Sequence, residues 1–101
     1  MYCESLKSIV IPNSVAVIGE YTFTYCTSLE LIVIPDSITE IGKYAFRKCT
    51  SLKDVYYSGT ADDWDNIRID DDNELLLSAN IHYTSNVNES YKFRFKRAYN
   101  E

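Results

Sequence analysis

Glycine, histidine and long apolar runs are scarce in this chain, and each scarcity removes a class of function. Gly19, Gly42 and Gly59 are the only glycines, so there is no glycine-rich loop of the kind that cradles a phosphate. His82 is the single histidine. A Cys–His or Ser–His catalytic pair would have to use it, and nothing else in the sequence supports that chemistry. No segment approaches the roughly 20 apolar residues that cross a bilayer as a helix; runs such as Leu31 to Ile34 are strand-sized. Met1-Tyr2-Cys3-Glu4 lacks the basic start and apolar stretch of a secretory signal. Basic residues are in the minority, with a formal net charge of −5, which argues against nucleic acid as the main partner.

The three cysteines fit no Cys-x-x-Cys zinc or redox motif, and an odd number cannot pair completely within one chain. The acidic run Asp70, Asp71, Asp72 and Glu74 has neither the glycine nor the spacing of an EF-hand loop. It reads as a solvated turn leading into a helix cap. No metal or cofactor is expected from either group. Asn88-Glu89-Ser90 matches a glycosylation sequon, a short match that carries little weight alone.

What the chain does have is a repeat. Cys3, Cys26 and Cys49 stand at equal intervals, and Leu6, Leu29 and Leu52, each preceded by serine, keep the same interval. Ile9, Ile32 and Val55 follow in phase, then Ile11, Ile34 and Tyr57; Pro12 matches Pro35, Ile18 matches Ile41, Gly19 matches Gly42, and Phe23 matches Phe46. Within a unit, Ile32 and Ile34 alternate with Leu31 and Val33, the period of a short strand. Pro35 ends that strand because proline cannot donate to a ladder, and Asp36-Ser37 supplies turn chemistry. Ile38 and Ile41 return to the core, Gly42 is expected to allow a tight bend, and Lys43 to Lys48 reads as a single helical turn with Phe46 inward.

One such unit cannot bury its own apolar face, but stacked units can. Stacking turns equivalent residues into columns, in which Lys7, Glu30 and Lys53 alternate in sign, as do Glu20 and Lys43. Cross-strand pairing of such charges is favourable by a few tenths of a kcal/mol. The expected architecture is an α/β repeat solenoid, β-rich with short helical turns. It holds about two and a half 23-residue repeats over residues 1–57 and a C-terminal capping region over 58–83. In the cap, Thr60 and Asp63 fit a capping box that opens a short helix. Trp64 plugs the last repeat, Glu74 to Ala79 forms a second helix with Leu75, Leu76 and Leu77 over the core, and Ile81-His82-Tyr83 forms a final strand.

The pattern Ser-Leu-x-x-Ile-x-Ile-Pro-x-Ser-Ile-x-x-Ile-Gly-x-x-Ala-Phe-x-x-Cys, and the ending from Tyr56 through Trp64 to Tyr83, resemble the BspA-like leucine-rich repeat family over residues 1–83. Thr22 departs from the alanine at Ala45, and the first unit lacks its phenylalanine. The resemblance implies a leucine-rich-repeat right-handed superhelix that binds protein partners, a class that includes host extracellular proteins, at a cell surface or in secreted form. It implies no catalysis. The repeat enters in mid-phase at residue 1, which leads us to expect upstream repeats, an upstream signal, and self-association through an uncapped N-terminal end.

A solenoid presents its strand face as a binding surface. The outward columns here are Ser8, Leu31, Asp54 and Val10, Val33, Tyr56, the candidate concave face. Residues 1–83 carry 6 Lys/Arg and 13 Asp/Glu, whereas residues 84–101 carry 4 and 2. That tail alternates aromatic and basic residues from Tyr91 to Lys96. Lys92, Arg94, Lys96 and Arg97 are its candidate contacts for a carbohydrate or other anionic polymer, unless the segment is simply a closing strand. Three readings therefore stand: a protein-binding or adhesion module, a structural cap or spacer, and an anionic-polymer binder.

Overall fold

The computed structural model describes residues 4–84. Cys3, the first residues of the chain and the basic-aromatic tail, with Lys92, Arg94, Lys96 and Arg97, lie outside them.

Apolar alternation builds the first layer. In the strands Ser8–Val10 (β1), Leu31–Ile34 (β3), Asp54–Tyr57 (β5) and Asn80–Tyr83 (β7), neighbouring chains run parallel in the order β1-β3-β5-β7. Ile32 and Ile34 are completely buried while Leu31 and Val33 are half-buried, as period-2 patterning requires. Between the regular units the register is the one the repeat demands, with Ile9 facing Ile32 and Ile32 facing Val55, and the inward column continues as Val55 faces Ile81 across a longer step. Each fully buried Ile or Val in this column contributes about 1.5–3 kcal/mol through apolar burial.

A second parallel sheet, unforeseen in the sequence, forms where the chain turns back. Val17–Ile18 (β2), Glu40–Ile41 (β4) and Arg68–Ile69 (β6) pair in the order β2-β4-β6. Ile18, Ile41 and Ile69 make its inner column. Leu29, Ile38, Phe46 and Cys49 belong to the same core, and Phe23 stacks at a tilt on Phe46 with centroids 5.3 Å apart. Each regular repeat thus gives one strand to each sheet and one aromatic to the core.

The segment from Lys43 to Lys48 is not a helical turn. Ala45 N–H donates to Gly42, Arg47 to Tyr44 and Cys49 to Phe46, a chain of tight turns formed by every second amide. The preceding unit repeats it, from Thr22 N–H on Gly19 to Cys26 N–H on Phe23. The alternate amides point along the stack instead: Tyr21, Phe23 and Tyr25 donate to the carbonyls of Lys43, Ala45 and Arg47 at 3.3, 2.8 and 2.7 Å. A helix would consume those donors internally and leave the units unjoined. The geometry requires left-handed residues, and these are Tyr21, Tyr25, Tyr44 and Lys48, with φ between 61° and 65°. Gly42 is therefore not the bend residue, since no glycine among the described residues has positive φ. A Cβ there would sit 2.6 Å from the Glu20 amide nitrogen, so glycine is needed for close approach of the neighbouring unit.

Beyond Tyr57 the constant step is lost. Arg68 pairs with Glu40 and Asn80 with Asp54, and both steps are longer than the one that joins Leu31 to Asp54. The excess holds the helix Ala61–Asp65 (α1), opened by a complete Thr60–Asp63 capping box. Trp64 is buried and meets Tyr57 edge-on at 5.1 Å. The second helix, Glu74–Leu77 (α2), stops short of Ala79; Leu76 is fully buried, but Leu77 is 53% exposed and covers no core. The charge columns are in backbone register, with Glu30 N–H on Lys7 and Lys53 N–H on Glu30. Among the described residues no side-chain ion pair joins Lys7, Glu30 and Lys53, or Glu20 and Lys43. Their alternation avoids like-charge stacking and makes no close pairs.

Candidate binding face

Parallel pairing converts the outward residues of the four-stranded sheet into two columns. Ser8, Leu31, Asp54 and Asn80 align in one, and Val10, Val33, Tyr56 and His82 in the other. All six sequence-selected residues are therefore brought onto one face. Their exposure is uneven: Val10 is 57% exposed and Ser8 is exposed too, whereas Leu31, Val33, Asp54 and Tyr56 are half-buried against their neighbours. Asn80 and His82 complete the columns and were absent from the sequence-selected set. Aligning Ile81 with Val55 as inward residues would have found them, but the longer step into β7 hides that match from a search at the repeat's own period.

The β7 end of this face is the most ordered chemically. His82 Nε2 lies 2.9 Å from Asp54 Oδ1, and the imidazole stacks on Tyr56 with centroids 4.4 Å apart and planes 13° from parallel. A carboxylate can only accept, so Nε2 carries the proton in this contact. Both side chains are about a third exposed, which keeps the pair's net contribution small. Its effect is to pin the Tyr56–His82 stack as a rigid aromatic platform beside the aliphatic Val33 and Leu31.

A second surface motif flanks the turns. Tyr21 and Tyr44 stack at 5.0 Å, and the Lys43 ammonium and Arg47 guanidinium lie 5.2 and 5.4 Å from the Tyr44 ring centroid. At the β1–β2 edge a cleft of about 260 Å³ is lined mainly by apolar residues, including Ile9, Ile11, Val15, Ile18 and Phe23.

The remaining sequence candidates take structural places. Cys26 and Cys49 are fully buried in successive units, and the Cys49 thiol donates to the Phe23 carbonyl at 3.1 Å. Among the described residues no group of three or more His, Cys, Asp or Glu side chains could hold a metal ion. The acidic run is more than a solvated turn. Asp72 has φ 66°, close to that of Tyr44 one unit earlier, and Tyr44 N–H donates to the Asp71 carbonyl at 3.1 Å. Asn73, only 2% exposed, then takes the place of a repeat backbone. Its Oδ1 accepts from Phe46 N–H at 2.9 Å, and its Nδ2 donates to the Gly42 and Asp70 carbonyls at 3.0 and 2.9 Å.

Repeated strands in parallel register, a leucine–isoleucine core in columns and turn ladders joining successive units define a leucine-rich-repeat protein. The family described as BspA type leucine rich repeat region (6 copies) matches residues 1–100, and the chain belongs to it. No curated protein and no solved structure matches the chain. No helix among the described residues is long and apolar enough to cross a membrane.

Proposed function

We propose that this chain is a non-catalytic protein-binding or adhesion module that engages its partner through the outward face of β1, β3, β5 and β7. The observation that carries the reading is the in-register pair of columns, which sets Leu31 and Val33 beside the stacked Tyr56–His82 platform. Rigid aromatic side chains flanked by aliphatic ones resemble the anchors that dominate protein interfaces. Membership of the BspA-type family supports an extracellular or cell-surface setting, with a host extracellular protein as the partner class.

The test is retention of an extracellular protein by the wild-type chain and by a Leu31→Ser/Val33→Ser/Tyr56→Ser variant whose circular dichroism matches wild type. Loss of the retained protein in the variant supports the face. Equal retention by both removes it.

A second reading, a cap that closes a repeat array, is favoured by Asn73 and Trp64, which satisfy and cover the last regular unit. It predicts that removing residues 58–84 destabilises the upstream repeats while no partner is retained by either chain.

A further inference from the structure

Where the turn after β3 meets α1, an open cleft of about 250 Å³ is bordered by Asp36 and Ile38 on one side and by Asp63 and Ile67 on the other. Tyr57 lines it too. This cleft lies apart from the strand face and has an unusual balance of groups. Two carboxylates border it, and among the described residues no lysine or arginine does. Asp63 Oδ2 accepts from Thr60 N–H at 3.1 Å, which leaves its other oxygen available. The Asp36 backbone N–H is satisfied by the Ser58 hydroxyl at 2.8 Å, while its carboxylate has no hydrogen-bond or ion-pair partner among the described residues.

Tyr57 supplies the independent observation. The residue is 1% exposed, yet its hydroxyl makes no hydrogen bond among the described residues. Burial first, and then the charges of Asp63 and Asp36, hold its proton more tightly than usual. The phenol is therefore neutral and sits in the field of both carboxylates, with an oxygen lone pair unused. Buried polar groups are ordinarily satisfied, and one without a partner calls for an explanation.

We propose that this cleft is a recognition pocket for the ammonium group of a lysine side chain presented by a partner protein, accepted by the Asp36 and Asp63 carboxylates and the Tyr57 hydroxyl oxygen. An ammonium has three N–H donors and no acceptor, matching these three acceptors. A bound divalent ion is a poorer fit, because calcium takes about 6–8 oxygen ligands and magnesium demands a near-octahedral shell.

The experiment is a two-dimensional ¹⁵N-amide titration of the full chain with Nα-acetyl-lysine methylamide, beside its uncharged norleucine counterpart and calcium chloride. The expected result is saturable movement of the Asp36, Thr39, Asp63 and Asn66 amides with the lysine probe alone, weakened by added salt. Asp36→Asn should weaken it by about tenfold, the loss of one charge-assisted hydrogen bond. Tyr57→Phe, which keeps the ring packing, should weaken it several-fold while the rest of the spectrum stays in place. Equal shifts with norleucine, calcium moving these amides when lysine does not, unchanged affinity in Asp36→Asn, or no movement up to the solubility limit would each overturn the proposal.

Discussion

The regular units and the cap solve the same problem with different groups. Between the two regular units, every second turn amide of one finds a backbone carbonyl of the next, and the strands keep one constant step. Between the last regular unit and the cap, the ladder begins in the same way at Tyr44 and Asp71. It then passes to a side chain at Asn73, because the chain there turns into α2 and no longer follows the repeat path. A repeat array propagates through backbone and ends through side chains. That difference is why the cap depends on one asparagine.

The sharpest way to break this comparison is Asn73→Ala. It removes three hydrogen bonds and leaves the Phe46 amide and the Gly42 carbonyl without their side-chain partner in a buried site. The expected loss is about 2–4 kcal/mol, read as a lower urea midpoint. Asn73→Asp, which keeps the acceptor and loses both donors, should recover little because it buries a charge. An unchanged midpoint in Asn73→Ala would mean that the last unit needs no side-chain closure.

A smaller effect separates the two glycines of the repeat. Gly42→Ala drives a Cβ to within 2.6 Å of the Glu20 backbone nitrogen, whereas at Gly19 the nearest atom is the Thr22 hydroxyl at 3.5 Å. Gly42→Ala should cost about 1–3 kcal/mol as an overpacked contact, and Gly19→Ala should stay within about 0.5 kcal/mol of wild type. Similar thermal midpoints for the two would remove the close-approach explanation.

Lys48→Gly sharpens the comparison in the opposite direction. Lys48 is exposed and left-handed at φ 65°, so glycine relieves backbone strain and should stabilise by about 0.5–1 kcal/mol after its own entropic cost. Differential scanning fluorimetry would show it as a higher midpoint; a lower one would mean that the lysine side chain matters more than its backbone.

The smallest effect is on alkaline stability. Tyr57 is raised above the ordinary phenol value of 10.0 by burial and then by Asp63 and Asp36, and Tyr83 by burial and then by Asp65. Because the folded state holds these protons more tightly than the unfolded state, stability is fully present below pH 10.0 and falls as pH rises from there through the folded values. Tyr57→Phe and Tyr83→Phe should each flatten that fall. Identical slopes in wild type and both variants would show that neither phenol is perturbed on folding.

The period, the strand with its inward Ile32 and Ile34, the buried Cys26 and Cys49 and the Thr60–Asp63 cap were legible in the sequence alone, because each depends on near neighbours or on one constant spacing. So were the six outward residues from Ser8 to Tyr56, since their face follows from strand alternation. The second sheet, the left-handed turns at Tyr21 and Tyr44, the plug at Asn73 and the Asp54–His82–Tyr56 platform were decided only by the tertiary structure. Each rests on a group whose partner lies in another coil. In the cap the α1 segment also moves that partner off the constant period, to a step that no local rule specifies. Lys43 to Lys48 is the clearest case: its local pattern is compatible with a helix, but the amides are worth more to the fold when half of them bridge to the neighbouring unit.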